Sequence, residues 1–88
     1  MARDLRLTLV GKPGCHLCDD AREVVQAVRE ELAALPDGPV IAFDEQSILD
    51  DEVLAQRFAE EIPVVLIDGE VHTYWRVDPV RLKAALLG

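Results

Sequence analysis

Cys15 and Cys18 lie two residues apart in Gly14-Cys15-His16-Leu17-Cys18-Asp19-Asp20, and the chain has no other cysteine. A strand-like run, Leu5 to Val10, precedes them and a helix-like one, Ala21 to Leu35, follows. A C-x-x-C at a strand-to-helix junction, with no secretion signal ahead of it, reads as a redox motif. Placed in the first helical turn, two such residues have Cα atoms about 5 Å apart, from a rise of about 1.5 Å and a turn of about 100° per residue. A disulfide needs roughly 4.4–6.8 Å, so the bond can open and close with little backbone movement.

First-turn N–H groups have no helical partner, and the helix dipole is positive at that end. A thiolate on Cys15 is stabilised there. Cys15, nearer the loop, is the expected attacking thiol, and Cys18, one turn in and more shielded, the resolving one. Lys12 adds positive charge three residues ahead of Cys15, and His16 does so when protonated. Asp19 and Asp20 favour a helix start but oppose a nearby thiolate.

The elements that must position these groups follow from periodicity. Leu5, Leu7 and Leu9 alternate with Arg6 and Thr8, which predicts a strand over Leu5 to Val10. Gly11 to Gly14 reads as a loop, with Pro13 and Gly14 as breakers. A helix from near Cys15 to about Leu35 carries Ala21, Val24, Val25, Val28, Leu32 and Leu35 as one apolar stripe, and Pro36-Asp37-Gly38-Pro39 ends it. Val40-Ile41-Ala42-Phe43 is a continuous apolar run, suited to a parallel strand covered on both faces. Asp44 to Ser47 is polar. A second helix starts between Ser47 and Asp51, capped by Asp50 or Ser47, with Val53, Leu54 and Phe58 inward, and ends near Glu60 or Glu61. Pro63 to Ile67 is the most apolar strand. Asp68-Gly69 signals a hairpin to Val71 to Trp75. Tyr74 and Trp75, being adjacent, should point to opposite faces, one into the core and one outward. Asp78 and Pro79 open a last helix as N-cap and first residue, with Leu82, Ala85 and Leu86 buried. The order is β-α-β-α-β-β-α, an α/β fold with a four-stranded mixed sheet, helices on both faces and a right-handed crossover in its first half.

At 88 residues the chain is expected to be one domain, residues 1–88. Half the residues are apolar and 30% are charged, as in an ordinary soluble globule. Met1-Ala2-Arg3-Asp4 has no apolar signal core and no run approaches membrane-spanning length, so the expected compartment is the cytoplasm. Disulfides there are usually transient and functional. A net charge of −8, with Arg3, Arg6, Lys12, Arg22, Arg29, Arg57, Arg76, Arg81 and Lys83 scattered, argues against nucleic acid or an anionic membrane as partner.

This order, with Lys12-Pro13-Gly14-Cys15-His16-Leu17-Cys18 after the first strand, Ile62-Pro63-Val64 entering the third, then Asp68-Gly69 and Asp78, resembles the thioredoxin fold and, more closely, small glutaredoxin-like proteins. The resemblance covers nearly the whole chain. It implies a cis peptide bond before Pro63, packing of that proline beside the two sulfurs, and pairing of Ile62 backbone groups with an extended substrate. It also implies that Lys12, His16, Leu17, Ile62 and Pro63 contact the substrate. The chain departs from the family between its cysteines, where dithiol glutaredoxins carry Pro-Tyr and thioredoxins Gly-Pro. It also lacks the Gly-Gly pair that glutaredoxins place near the glutathione site; Tyr74-Trp75-Arg76-Val77 stands there.

The leading functional expectation is thiol–disulfide exchange on a protein disulfide or a low-molecular-weight mixed disulfide, by a monomer with no tightly bound cofactor. The electron donor would be glutathione, another low-molecular-weight thiol or a reductase protein. Two alternatives share the fold. One is a metal or glutathione-assisted iron–sulfur cluster site drawing on Cys15, Cys18, His16 or His72, although one C-x-x-C supplies only half of a four-ligand zinc site. The other is a non-catalytic interaction module. His72 and Arg76 read as surface or hydrogen-bonded residues.

Overall fold

The computed structural model describes residues 4–88; Met1 to Arg3, including the scattered positive charge of Arg3, lie outside it. Seven elements follow in the order β1 Asp4–Gly11, α1 His16–Ala33, β2 Val40–Ser47, α2 Glu52–Phe58, β3 Val64–Ile67, β4 Glu70–Tyr74 and α3 Pro79–Leu87. The strands form one sheet in the order β2-β1-β3-β4. β1 runs parallel to β2, antiparallel to β3, and β3 is antiparallel to β4. This is the thioredoxin-like α/β architecture.

Alternation along the central strand builds two cores. Leu5, Leu7 and Leu9 face one side of the sheet and pack with Ala21, Val25, Val28 and Leu32 of α1, Val65 of β3, and Leu82 and Leu86 of α3. Val10, Val64 and Leu66 face the other side and pack with Leu54 and Phe58 of α2. Helices therefore cover both faces. Asp78 caps α3, its Oδ1 accepting from the N–H groups of Val80 at 2.9 Å and Arg81 at 3.3 Å, with Pro79 in the first turn. The Asp68-Gly69 turn joins β3 to β4, and Asp68 Oδ1 accepts from the Arg6 N–H at 2.8 Å, tying the hairpin to β1.

Several local expectations are corrected. β2 is twice the expected length, because Asp44 to Ser47 continue the parallel ladder opposite Thr8 to Gly11. It is an edge strand, with Val40 and Ala42 exposed and Ile41 and Phe43 half-buried, so the apolar run is covered on one face only. α1 stops at Ala33, which leaves Leu35 exposed beyond its end. The cap of α2 is Asp51, whose Oδ1 accepts from Val53 and Leu54 N–H. Ser47 is occupied in the preceding turn, where its Oγ accepts from Leu49 N–H. With the helix starting at Glu52, Leu54 and Phe58, four residues apart, define its inner stripe and Val53 is exposed. Ala85 is only half-buried. Tyr74 and Trp75 do not split between core and solvent: both are exposed, because the strand ends at Tyr74 and Trp75 turns away at φ 63°.

Candidate functional site

Three pieces of chain meet around the thiols: the end of β1, the Lys12–Gly14 loop and the first turn of α1. Gly14 takes φ +76°, a left-handed conformation open to glycine at no steric cost, and this turns the chain from strand into helix. Cys15 is the N-cap of α1 rather than a residue of its first turn. Its backbone is extended, and its Sγ accepts from the Cys18 N–H at 3.3 Å. The Asp19 N–H bonds the Cys15 carbonyl at 3.0 Å. The cap geometry thus places the Cys15 sulfur against the unpaired donors of the helix end.

The two sulfurs differ in environment. Cys15 is half-buried and Cys18 is 1% exposed, and both are free thiols. Burial first, then a hydrogen bond to Cys15 and, more weakly, the charge of Cys15 push the Cys18 thiol up to about 11, against the Lys12 backbone N–H, which outweighs the Cys15 charge, and the weaker effect of the Arg22 guanidinium. Cys18 is therefore held as a thiol at neutral pH.

Cys18 lines a cleft of about 340 Å³ with Leu9, Gly11, Lys12, Arg22, Glu45 and Asp50 among its walls. Arg22 is fixed there by ion pairs to Glu45 and to Asp19, the latter at 2.8 Å. Asp19 thus spends its charge on Arg22. A second groove of about 280 Å³ runs along the opposite flank of α1, from Leu17 to Trp75, Arg76 and Val77.

The expected site residues divide between these places. Lys12 lies in the Cys18 cleft, while Leu17, exposed between the cysteines, opens the second groove. His16 is exposed and lines neither. Ile62 is partly buried against the α2-side core. Pro63 is fully buried and follows a cis peptide bond. Its carbonyl accepts from the Trp75 N–H at 2.7 Å, so the proline strand is bonded to the wall of the Leu17 groove. His72 is half-buried, and burial, with a smaller effect of Arg81, lowers its pKa. Among the described residues, no group of three or more His, Cys, Asp or Glu side chains is arranged to hold a metal ion. Nor is any helix among them long and apolar enough to cross a membrane.

Sequence reading passed over Gly11, Arg22, Glu45 and Asp50. Gly11 is expected to open the loop, yet it is the last residue of β1. A Cβ there would stand 2.8 Å from Cys18 Sγ and 3.2 Å from its Cβ, so the close approach of β1 to the buried thiol requires glycine. Gly11→Ala should force Cys18 or the start of α1 to shift, lowering stability by about 1–3 kcal/mol. It should also slow closure of the Cys15–Cys18 bond. Urea unfolding of the reduced protein and timed thiol counts check this; unchanged values for both would refute the close packing of Gly11 on Cys18.

Residues 6–87 match the family model described as glutaredoxin-like domain (DUF836). The chain is 33% identical over 79 residues to uncharacterized proteins of Mycobacterium tuberculosis and Mycobacterium bovis, covering 90% of this chain and 79% of each of theirs. An X-ray structure of a structural-genomics target from X. campestris is 32% identical, with a TM-score of 0.68 over 91% of this chain and 93% of that one. A thioredoxin mutant from Halobacterium salinarum, 21% identical, superposes with a TM-score of 0.58 over 96% of this chain and 73% of its own, a likeness of fold.

Proposed function

The chain belongs to the glutaredoxin-like (DUF836) family, and from that premise we propose that it is a thiol–disulfide oxidoreductase working through Cys15 and Cys18. The carrying observation is the asymmetry of the pair: a half-buried sulfur at a helix N-cap beside a buried sulfur held protonated.

The reaction has two exchanges. The Cys15 thiolate attacks one sulfur of a substrate disulfide, forming a mixed disulfide and expelling the other substrate sulfur as thiolate. Cys18 then loses its proton and attacks Cys15 Sγ. The Cys15–Cys18 bond forms, and the second substrate sulfur leaves as thiolate and takes up a proton. Two electrons pass from the protein dithiol to the substrate disulfide. Two equivalents of a low-molecular-weight thiol, glutathione among them, or a reductase protein restore the dithiol by the same exchange in reverse.

In this reading Ile62 and Pro63 border the substrate sulfur. Neither the N–H nor the C=O of Ile62 makes a backbone hydrogen bond among the described residues, which suits pairing with an extended chain. The proposed setting is a cytoplasmic monomer acting on disulfide-bearing proteins or small mixed disulfides, with neither nucleic acid nor membrane as partner.

The test is a titration of the Cys15–Cys18 couple in defined thiol buffers, with free thiols counted by mass. A reversible two-electron transition between about −180 and −280 mV is expected, where 30 mV corresponds to about a tenfold change in equilibrium. Absence of a reversible intramolecular bond would overturn the assignment.

A further inference from the structure

Trp75 is built into its place in an unusual way. It takes φ 63°, a region that bulky side chains rarely occupy. Residues held there cluster at ligand-binding positions, and they persist only where the surroundings fix them. Two hydrogen bonds do so here: its backbone N–H to the Pro63 carbonyl at 2.7 Å, and its indole Nε1–H to the Glu60 carbonyl at 3.2 Å. The donor that a tryptophan usually offers a ligand is thus already satisfied, and the ring face is what remains. Trp75 is 55% exposed as a residue, and the ring of Tyr74, also an exposed residue, lies 6.2 Å from its ring, tilted by 49°.

Trp75 lines the groove that begins at Leu17, between the two cysteines. Leu17, Ala21, Val24, Trp75 and Val77 are five of its seven lining residues, and the other two are one cation, Arg76, and one anion, Asp20. Formal charge in the groove therefore cancels, and the chain as a whole carries −8. Glutathione brings two carboxylates and one ammonium, a net negative ligand; the groove offers a single guanidinium, with a carboxylate facing the same space. A neutral apolar side chain meets no such conflict.

We propose that this groove recognises a protein segment bearing the substrate disulfide, and that it selects an apolar or aromatic side chain next to the reactive cysteine, with Trp75 determining that specificity. The segment would pair with Ile62 in extended form, its cysteine at Cys15 and its neighbouring side chain on the Trp75 ring. Rigid aromatic anchors in such positions commonly dominate recognition energy. The proposal rests on the exchange reaction above, but its binding half does not require that reaction.

Two peptide pairs test it. In the first pair, each peptide carries a cysteine disulfide-linked to a small thiol, flanked by Phe in one and by Gly in the other; oxidised glutathione is the third substrate. The reduced protein should attack the Phe-flanked peptide at least tenfold faster than either of the others. Trp75→Ala should bring the Phe-to-Gly ratio close to one, and Trp75→Phe should restore most of it. A purely structural role for Trp75 would slow both peptides alike and leave the ratio intact, which would overturn the proposal. So would equal or faster attack on oxidised glutathione. In the second pair, Ser replaces the peptide cysteine, and binding is read from the fluorescence of Trp75, the only tryptophan in the chain. Tighter binding of the Phe-flanked peptide by tenfold or more supports the groove even if no exchange occurs, in which case the oxidoreductase reading alone fails. Equal binding of the two overturns the groove. Should Trp75→Ala not fold, Leu17→Ser on the facing wall supplies the same ratio.

Discussion

Replacing Cys15 with Ser is expected to abolish disulfide reduction, a loss of at least about 10³-fold, the scale on which removal of a covalent nucleophile acts. A serine hydroxyl stays protonated at neutral pH and forms no mixed disulfide. Cys18 cannot take over, because it is 1% exposed and so out of reach of a substrate disulfide. The substitution is also structurally mild. Cys15 caps α1 by accepting from the Cys18 N–H, and serine is among the preferred residues for that task. The unfolding midpoint should therefore stay near that of the parent, which separates lost chemistry from lost fold. The measurement pairs the rate of thiol release from a small disulfide with a urea midpoint. Residual turnover within tenfold of the parent would remove Cys15 from the role of nucleophile.

Most of the scaffold that places Cys15 is legible in the residue pattern. The alternating leucines of β1, the apolar stripe of α1, the Asp68-Gly69 turn and the Asp78-Pro79 helix start are local signals, and each element stands where its signal lies. What escaped depends on partners distant in sequence. Asp44 to Ser47 look like a polar loop until β1 is laid beside them. Then Thr8 Oγ1 donates to Asp44 Oδ1 at 2.8 Å, and the ladder runs on to Gly11 and Ser47. Gly11 reads as the first residue of the loop, and only the nearby Cys18 sulfur explains why no side chain fits there. Arg22 and Glu45 read as solvated charges. They become part of the cleft because the parallel pairing of β2 with β1 sets Glu45 opposite Leu9, beside the first turns of α1. The position of Trp75 is set by the Pro63 and Glu60 carbonyls, which no period-two pattern reveals. The thiol pair was thus visible as chemistry, while its walls are a product of topology.

That topology bears on the second exchange, where Cys18→Ser has its effect. The variant keeps the Cys15 nucleophile and should complete the first attack, releasing one equivalent of thiol per chain and then stopping as a stable Cys15 mixed disulfide. Mass spectrometry should find the adduct on nearly every chain; multiple turnovers at the parent rate would show that Cys18 is not the resolving thiol. In the proposed second exchange a buried thiol of the parent protein must lose its proton, and the causes that hold the proton there do not all survive the first exchange. Burial persists, but the hydrogen bond to Cys15 and the Cys15 charge both disappear once Cys15 is bonded to substrate. The Lys12 N–H and Arg22, which favour the thiolate, remain. The thiol pKa must therefore move down from about 11 when the mixed disulfide forms. In the proposed exchange, losing these two causes favours the Cys18 thiolate only after Cys15 is occupied, so electrostatics would join exposure in ordering the two attacks. Resolution in the parent should accelerate about tenfold per pH unit while thiolate is scarce and level off below pH 11, because rate follows the thiolate fraction. Stopped-flow resolution of a preformed mixed disulfide across that range checks the sign. A plateau only at or above pH 11 would mean that Cys15 does not hold the Cys18 proton in place.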